Sequence, residues 1–135
     1  MSKPVAPKVF IIDDSAEYCA LLGHHITTHW PDARVREYDP LHSGRLPDSF
    51  SGAGNDLVLL GHPAGGGDAL DWLRQFRRVP IFPPVVVTGN GEERQIVEAM
   101  QAGAAEYLSK ARLNHARLID IAESLIGTET VSYTH

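Results

Sequence analysis

Asp56-Leu57-Val58-Leu59-Leu60-Gly61-His62-Pro63 decides how this chain is read. Four consecutive large aliphatics predict a strand over 56–60 that is buried on both faces, as strands of a parallel sheet are. In an open α/β sheet the chemistry gathers just past the carboxyl ends of the strands. The residue in that place here is Gly61, which brings no side chain.

Working outward, Lys8-Val9-Phe10-Ile11-Ile12 is a second apolar run, closed by Asp13-Asp14. Ser15 is suited to cap the helix that follows, and Glu17 complements its dipole. Tyr18, Leu21, Leu22, Ile26 and Trp30 recur at helical spacing, so this helix extends to about His29. Residues 33–38 alternate and predict an edge strand with one wet face. Residues 39–55 hold Pro40, Gly44, Pro47, Gly52 and Gly54, and leave room only for a short irregular helix around His42 to Phe50.

Beyond the 56–60 strand comes a glycine-rich loop, 61–67. Asp68 then caps a helix carrying Leu70, Leu73 and Phe76, which ends before Pro80. Residues 85–88 form another doubly buried strand, and Gly89-Asn90-Gly91 a turn. A helix opened by Glu92-Glu93 is expected to face Ile96, Val97 and Met100 inward, and Gly103 ends it. Residues 105–109 are a fifth strand. Asn114 caps a last helix with Leu118, Ile121, Leu125 and Ile126, stopped by Gly127. Strands alternating with helices imply a parallel sheet covered on both faces. With right-handed crossovers and strand two at an edge, the expected order is 2-1-3-4-5, a flavodoxin-like three-layer α/β sandwich. The expected organisation is a lead-in over 1–7, one domain over 8–126 and a polar tail over 127–135.

The 135 residues suit one domain, able to bury a core without disulfides or metal. Net charge is −5, with 12 Lys and Arg against 17 Asp and Glu, which argues against a nucleic-acid surface. Arg74, Arg77 and Arg78 cluster, but with Asp68 and Asp71 near them they read as a solvated helix face. The single Cys19 forms no internal disulfide and fits a reducing cytosol, so a cytoplasmic location is expected. No apolar run reaches the length of a membrane span. The N-terminus lacks the apolar core of a signal peptide.

Placed in the 2-1-3-4-5 order, the residues after strands one, three, four and five converge: Asp13-Asp14, Gly61, Thr88-Gly89 and Lys110. Adjacent carboxylates suit a hard cation such as Mg²⁺. A threonine hydroxyl and a lysine ammonium suit a phosphoryl group. The pieces "VFIIDDS", "DLVLLG", "VVVTGNG" and "AGAAEYLSK", in this order and spacing, resemble the receiver domain of bacterial two-component response regulators over about residues 8–126. The resemblance implies that Asp13 and Asp14 match that family's Mg²⁺ pair, Thr88 its switch hydroxyl, Lys110 its phosphate-contacting lysine and Tyr107 its switching aromatic. It also implies that the face made by helix four, strand five and helix five, about 91–126, contacts a protein partner, a fused output domain or a second copy.

The departure is Gly61, which stands where the family places its phosphoacceptor aspartate. A one-residue slip of register would bring Leu60 or His62 there, and neither is an acid. Glycine has no nucleophile, so covalent phosphorylation at this position is excluded. Two smaller departures are Pro63, which comes early in its loop, and Ala111, where many receivers carry proline.

Each remaining residue has a plainer reading beside the functional one. Asp13 and Asp14 are either a weakened Mg²⁺ site or ordinary carboxylates, one paired with Lys110. Thr88 is expected to cap its loop. His62 is open to phosphohistidine or metal roles, against a plain loop histidine. His25 and His29, with His24 adjacent, have i, i+4 spacing that suits Zn²⁺, but no third ligand is apparent in sequence. Gly65-Gly66-Gly67 lacks the lysine of a phosphate-binding loop, and Trp72 reads as packing. The expected function is a pseudo-receiver that signals through protein contacts, standing alone or cut from a larger protein. The alternatives are a phosphoacceptor at His62 or Asp68, and a small anion or nucleotide module held by Lys110 and Thr88. No nucleophile–base pair is placed for an enzyme.

Overall fold

The computed structural model describes residues 6–47, 49–62 and 69–126. Five parallel strands, β1 (Lys8–Ile12), β2 (Arg34–Tyr38), β3 (Leu57–Gly61), β4 (Val85–Gly89) and β5 (Glu106–Ser109), stand in the order β2-β1-β3-β4-β5. The helices are α1 (Ala16–His29), α2 (Pro40–Ser43), α3 (Ala69–Arg77), α4 (Glu93–Gln101) and α5 (His115–Ile126). The expected order and alternation are both present.

The alternation of strand side chains sorts the core into two layers. Val9, Ile11, Leu57, Leu59, Val86 and Leu108 face α1 and α5, packing on Cys19, Leu22, Ile26, Leu118 and Ile121. Phe10, Ile12, Val58, Leu60, Val87 and Tyr107 face the other way, onto Trp72, Leu73, Phe76 and Ala99 of α3 and α4. Every residue of β3 and β4 is buried, which is why each strand opens on an apolar run, Leu57–Leu60 and Val85–Val87. β2 is mostly exposed or half-buried, as an edge strand is.

Local chemistry sets the ends that position the site. Ser15 Oγ accepts from the Tyr18 amide at 3.1 Å and starts α1. Asn114 Oδ1 accepts from Arg117 at 2.8 Å and starts α5. In the irregular stretch the short helix sits at Pro40–Ser43, earlier than the expected 42–50. Asp39 caps it through Leu41, and Pro40 presets its first turn. On α4, Val97 and Met100 point outward, 48% and 41% exposed, against the inward expectation. The inner stripe is Ile96 and Ala99, because the small Ala99 is what lets the helix approach the sheet. The proposed cap Asp68, the loop residues Pro63 and Gly65–Gly67, the stop at Gly127, the tail and most of the lead-in lie outside the described residues. Among the described residues no helix is long and apolar enough to cross a membrane.

Candidate functional site

The strand register brings the carboxyl ends together. Gly61 pairs with Thr88 across β3 and β4, and Ile12 of β1 lies beside Leu60 of β3. Asp13, the residue after β1, is buried, with 1% of its surface exposed. Its Oδ1 accepts from the Ser15 amide at 2.9 Å, which fixes the carboxylate at the start of α1. Its Oδ2 lies 3.0 Å from the Lys110 ammonium, an ion pair without the alignment of a hydrogen bond. Lys110 also sits 4.6 Å over the Tyr18 ring. Burial, and then the Asp13 charge, push the Tyr18 phenol up to about 12, so the ring meets the ammonium as a neutral phenol.

Gly61 is what admits this arrangement. A Cβ on Gly61 would meet the Asp13 Cγ at 2.8 Å and its Oδ2 closer still. The Asp13 carboxylate therefore lies where a side chain on residue 61 would begin. Asp14 is half-buried beside it. Thr88 is 1% exposed and its hydroxyl has no hydrogen-bond partner. The expectation that Thr88 caps its loop is corrected in kind: its carbonyl makes the tie, accepting from the His62 amide at 2.8 Å.

No family model matches the chain. Curated relatives do match. One is the cyclic di-GMP phosphodiesterase response regulator RpfG of Xanthomonas campestris, 32% identical over 107 residues, 76% of this chain and 27% of that protein. Another is the KDP operon transcriptional regulatory protein KdpE of Escherichia coli, 34% identical over 77 residues, 57% of this chain and 33% of that protein. The chain thus spans about a third or less of the length of these relatives. A two-component response regulator from Clostridium difficile superposes with a TM-score of 0.74 at 22% identity, covering 91% of this chain and 98% of that one. The chain is thus similar in sequence to part of several response regulators and shares its fold with one of known structure.

Within this fold Tyr107 is packed inward, 6% exposed. Its hydroxyl accepts from the Gly91 amide at 3.1 Å and donates to Gln95 Oε1 at 3.3 Å. Gly89 leaves the space: a Cβ there would meet the Tyr107 Cζ at 3.2 Å and its hydroxyl closer still. Gly91 has φ +85°, the left-handed region that favours glycine. The sequence reading missed Gln95 and Gly89 as neighbours of Tyr107, and Tyr18 as the neighbour of Lys110. The periodicity of α4 and α1 held the signal, since Gln95 and Tyr18 both lie in the first turns next to the site.

His62 caps α3, its Nδ1 accepting from the Ala69 amide at 3.0 Å. That nitrogen carries no proton, so the ring proton is on Nε2. His25 and His29 do not meet each other. Each reaches α5 instead, His25 to His115 and His29 to Glu123, both at 2.9 Å. Cys19 is buried against the Asp13 carbonyl, 3.6 Å away. Burial first, then the charges of Asp13, Glu37 and Asp39, push its thiol up to about 12. A thiol ordinarily near 9 then holds roughly 1000-fold less thiolate at neutral pH. The native domain is expected to resist iodoacetamide and to be labelled at once in denaturant. Native labelling at the denatured rate would contradict the buried placement.

Proposed function

We propose that this receiver domain signals without accepting a phosphoryl group at the end of β3, by contacts with a protein partner or an output domain. The observation that carries the reading is Gly61 at the acceptor position, with the Asp13 carboxylate lying against it and paired with Lys110. In-line phosphoryl transfer needs a nucleophile here and a lysine available to the transferred group. The first is missing, and the second is already matched by a carboxylate.

The donor set fits a receiver-type Mg²⁺ centre poorly. Gly61 brings no oxygen ligand from a side chain, and Asp13 Oδ2 faces an ammonium. Among the described residues no three His, Cys, Asp or Glu side chains form a group able to hold a metal ion. Mg²⁺ binding at Asp13 and Asp14 is therefore expected to be weak, and signalling through protein contacts does not require it.

The test is an NMR titration with Mg²⁺ and then acetyl phosphate, with intact mass measured on the same sample. The expected result is unchanged mass and small shifts at Asp13, Asp14 and Lys110. A phosphoryl adduct overturns the proposal, and its position would decide between His62, Asp68 and other sites. The anion-binding reading rests on the unpartnered Thr88 hydroxyl. Titration with inorganic phosphate alone, followed at Thr88 and Lys110, tests it.

The contact face is proposed to lie within 91–126, where α4 exposes Val97 and Met100. Changing both to aspartate removes apolar contact area from an exposed surface, so stability should move by only about 0.5 kcal/mol. Sedimentation velocity of the domain at high concentration is expected to show self-association that the double variant loses. Equal association in both would remove α4 from the interface.

A further inference from the structure

We propose that His25 and His115 form a chelating site for a tetragonal transition-metal ion of the copper(II) or nickel(II) class, bridging α1 and α5. The site lies on the α1–α5 layer and is separate from the pocket at the strand ends. Its Nδ1 atoms are 2.9 Å apart although the residues are 90 positions apart in sequence. The ring centroids are 5.0 Å apart and the planes cross at 47°.

The spacing selects the geometry. Two imidazole nitrogens bound at about 2.0–2.1 Å and at right angles to each other stand about 2.9 Å apart, whereas tetrahedral ligands stand about 3.3–3.4 Å apart. A right-angled pair of nitrogens is the cis edge of a tetragonal or octahedral ion, and imidazole is a good ligand for both copper and nickel.

The rings are held in the form that binds metal. Two imidazolium ions cannot face each other at this distance, since a 2.9 Å contact needs one Nδ1 with a proton and one without. Burial, then His115 and His24, hold the His25 pKa below its ordinary value. In the metal-free pair one Nδ1–H donates to the other Nδ1. On binding, that proton moves to Nε2 of the same ring, both Nδ1 lone pairs turn from each other to the ion, and no proton is released. The protein supplies two ligands, and water completes the coordination shell. His29, one turn along α1, is held by Glu123 at 2.9 Å, and the His24 ring lies 6.1 Å from that of His25.

The test uses the full chain with copper(II) chloride or nickel(II) chloride, followed by calorimetry, by nitrogen hyperfine coupling in the copper EPR spectrum, and by thermal melting. The expected result is a single high-affinity ion with two coupled nitrogens and a raised Tm. His25→Ala and His115→Ala are each expected to weaken binding on the order of 100-fold, as when a chelate becomes a single ligand. His115→Gln serves as a second variant, and metal-free melts confirm that each folds. His29→Ala is expected to bind as the unmodified chain does. Loss in His29→Ala with retention in His115→Ala would overturn the proposal in favour of an i, i+4 site on α1 alone. Unchanged binding in all variants would reduce it to adventitious surface chelation, and zinc binding tighter than nickel would overturn the tetragonal geometry.

Discussion

Replacing Gly61 with aspartate is expected to give a domain that is less stable without Mg²⁺, stabilised by it, and able to take a phosphoryl group from acetyl phosphate. The destabilisation follows from space and charge. The new Cβ falls within 2.8 Å of the Asp13 Cγ, so the buried Asp13 carboxylate must turn away. Overpacking of this kind costs about 1–3 kcal/mol. The added carboxylate then shares one lysine with Asp13, and like charges in a dry site repel. A divalent cation relieves that repulsion, so the Tm of the variant should rise with Mg²⁺ while that of the unmodified chain stays nearly constant. Intact mass supplies the second readout, with an adduct in the variant and none in the parent. A variant that folds, binds Mg²⁺ and still takes no phosphoryl group would mean that the defect extends beyond residue 61. Gly61→Ala separates the two effects, since it carries the packing cost and no ligand.

Removing Lys110 should be the most damaging single change at the pocket. Asp13 is 1% exposed while the Lys110 side chain is 30% exposed, so Lys110→Ala leaves a buried carboxylate without its counter-charge. The cost is expected at about 3 kcal/mol, the lower end for breaking a buried pair because lysine keeps some contact with water. For a domain of this size that is a fall of roughly 10 °C in Tm. Adding Asp13→Asn should restore most of the loss. Asparagine is neutral, and its side-chain oxygen still accepts from the Ser15 amide, the bond Oδ1 now makes at 2.9 Å. Chemical denaturation of the four members of this cycle gives the coupling directly. A cost no greater than about 1 kcal/mol for Lys110→Ala would place the pair among solvent-screened salt bridges.

The parts of the fold that were legible in sequence share a physical cause. Leu57–Leu60 and Val85–Val87 lie in strands covered on both sides, so no polar residue interrupts them, and no other common element has that signature at that length. Ser15 and Asn114 were legible as caps because the free amides of a first turn select such side chains. The orientation of α4 was not legible. Its nine residues hold Ile96, Val97, Ala99 and Met100, and an apolar stripe drawn through the larger side chains misses the one the sheet uses. Close approach to the sheet rewards the smaller alanine.

At the strand ends, placement was legible and arrangement was not. Asp13, Asp14, Gly61, Thr88 and Lys110 could be placed together from the order of the strands. Which carboxylate turns inward is decided by the Ser15 amide, the Lys110 charge and the space above Gly61 acting together. None of these is encoded in a single segment. His25 and His115 show the same limit more strongly, since only the packing of α1 on α5 makes them neighbours. The sequence paired His25 with His29 because spacing along one helix is all that a sequence displays.

The Asp13–Lys110 pair has a consequence for how information could pass through this protein. An ordinary two-state switch stores its signal in a chemical mark and loses it when the mark is removed. In this domain the charge of the lysine is answered from within the chain, so under the proposed reading there is no mark to write and none to erase. Every molecule is then equivalent to every other. What a partner senses is the number of copies present, and the time constant of the response is set by synthesis and degradation.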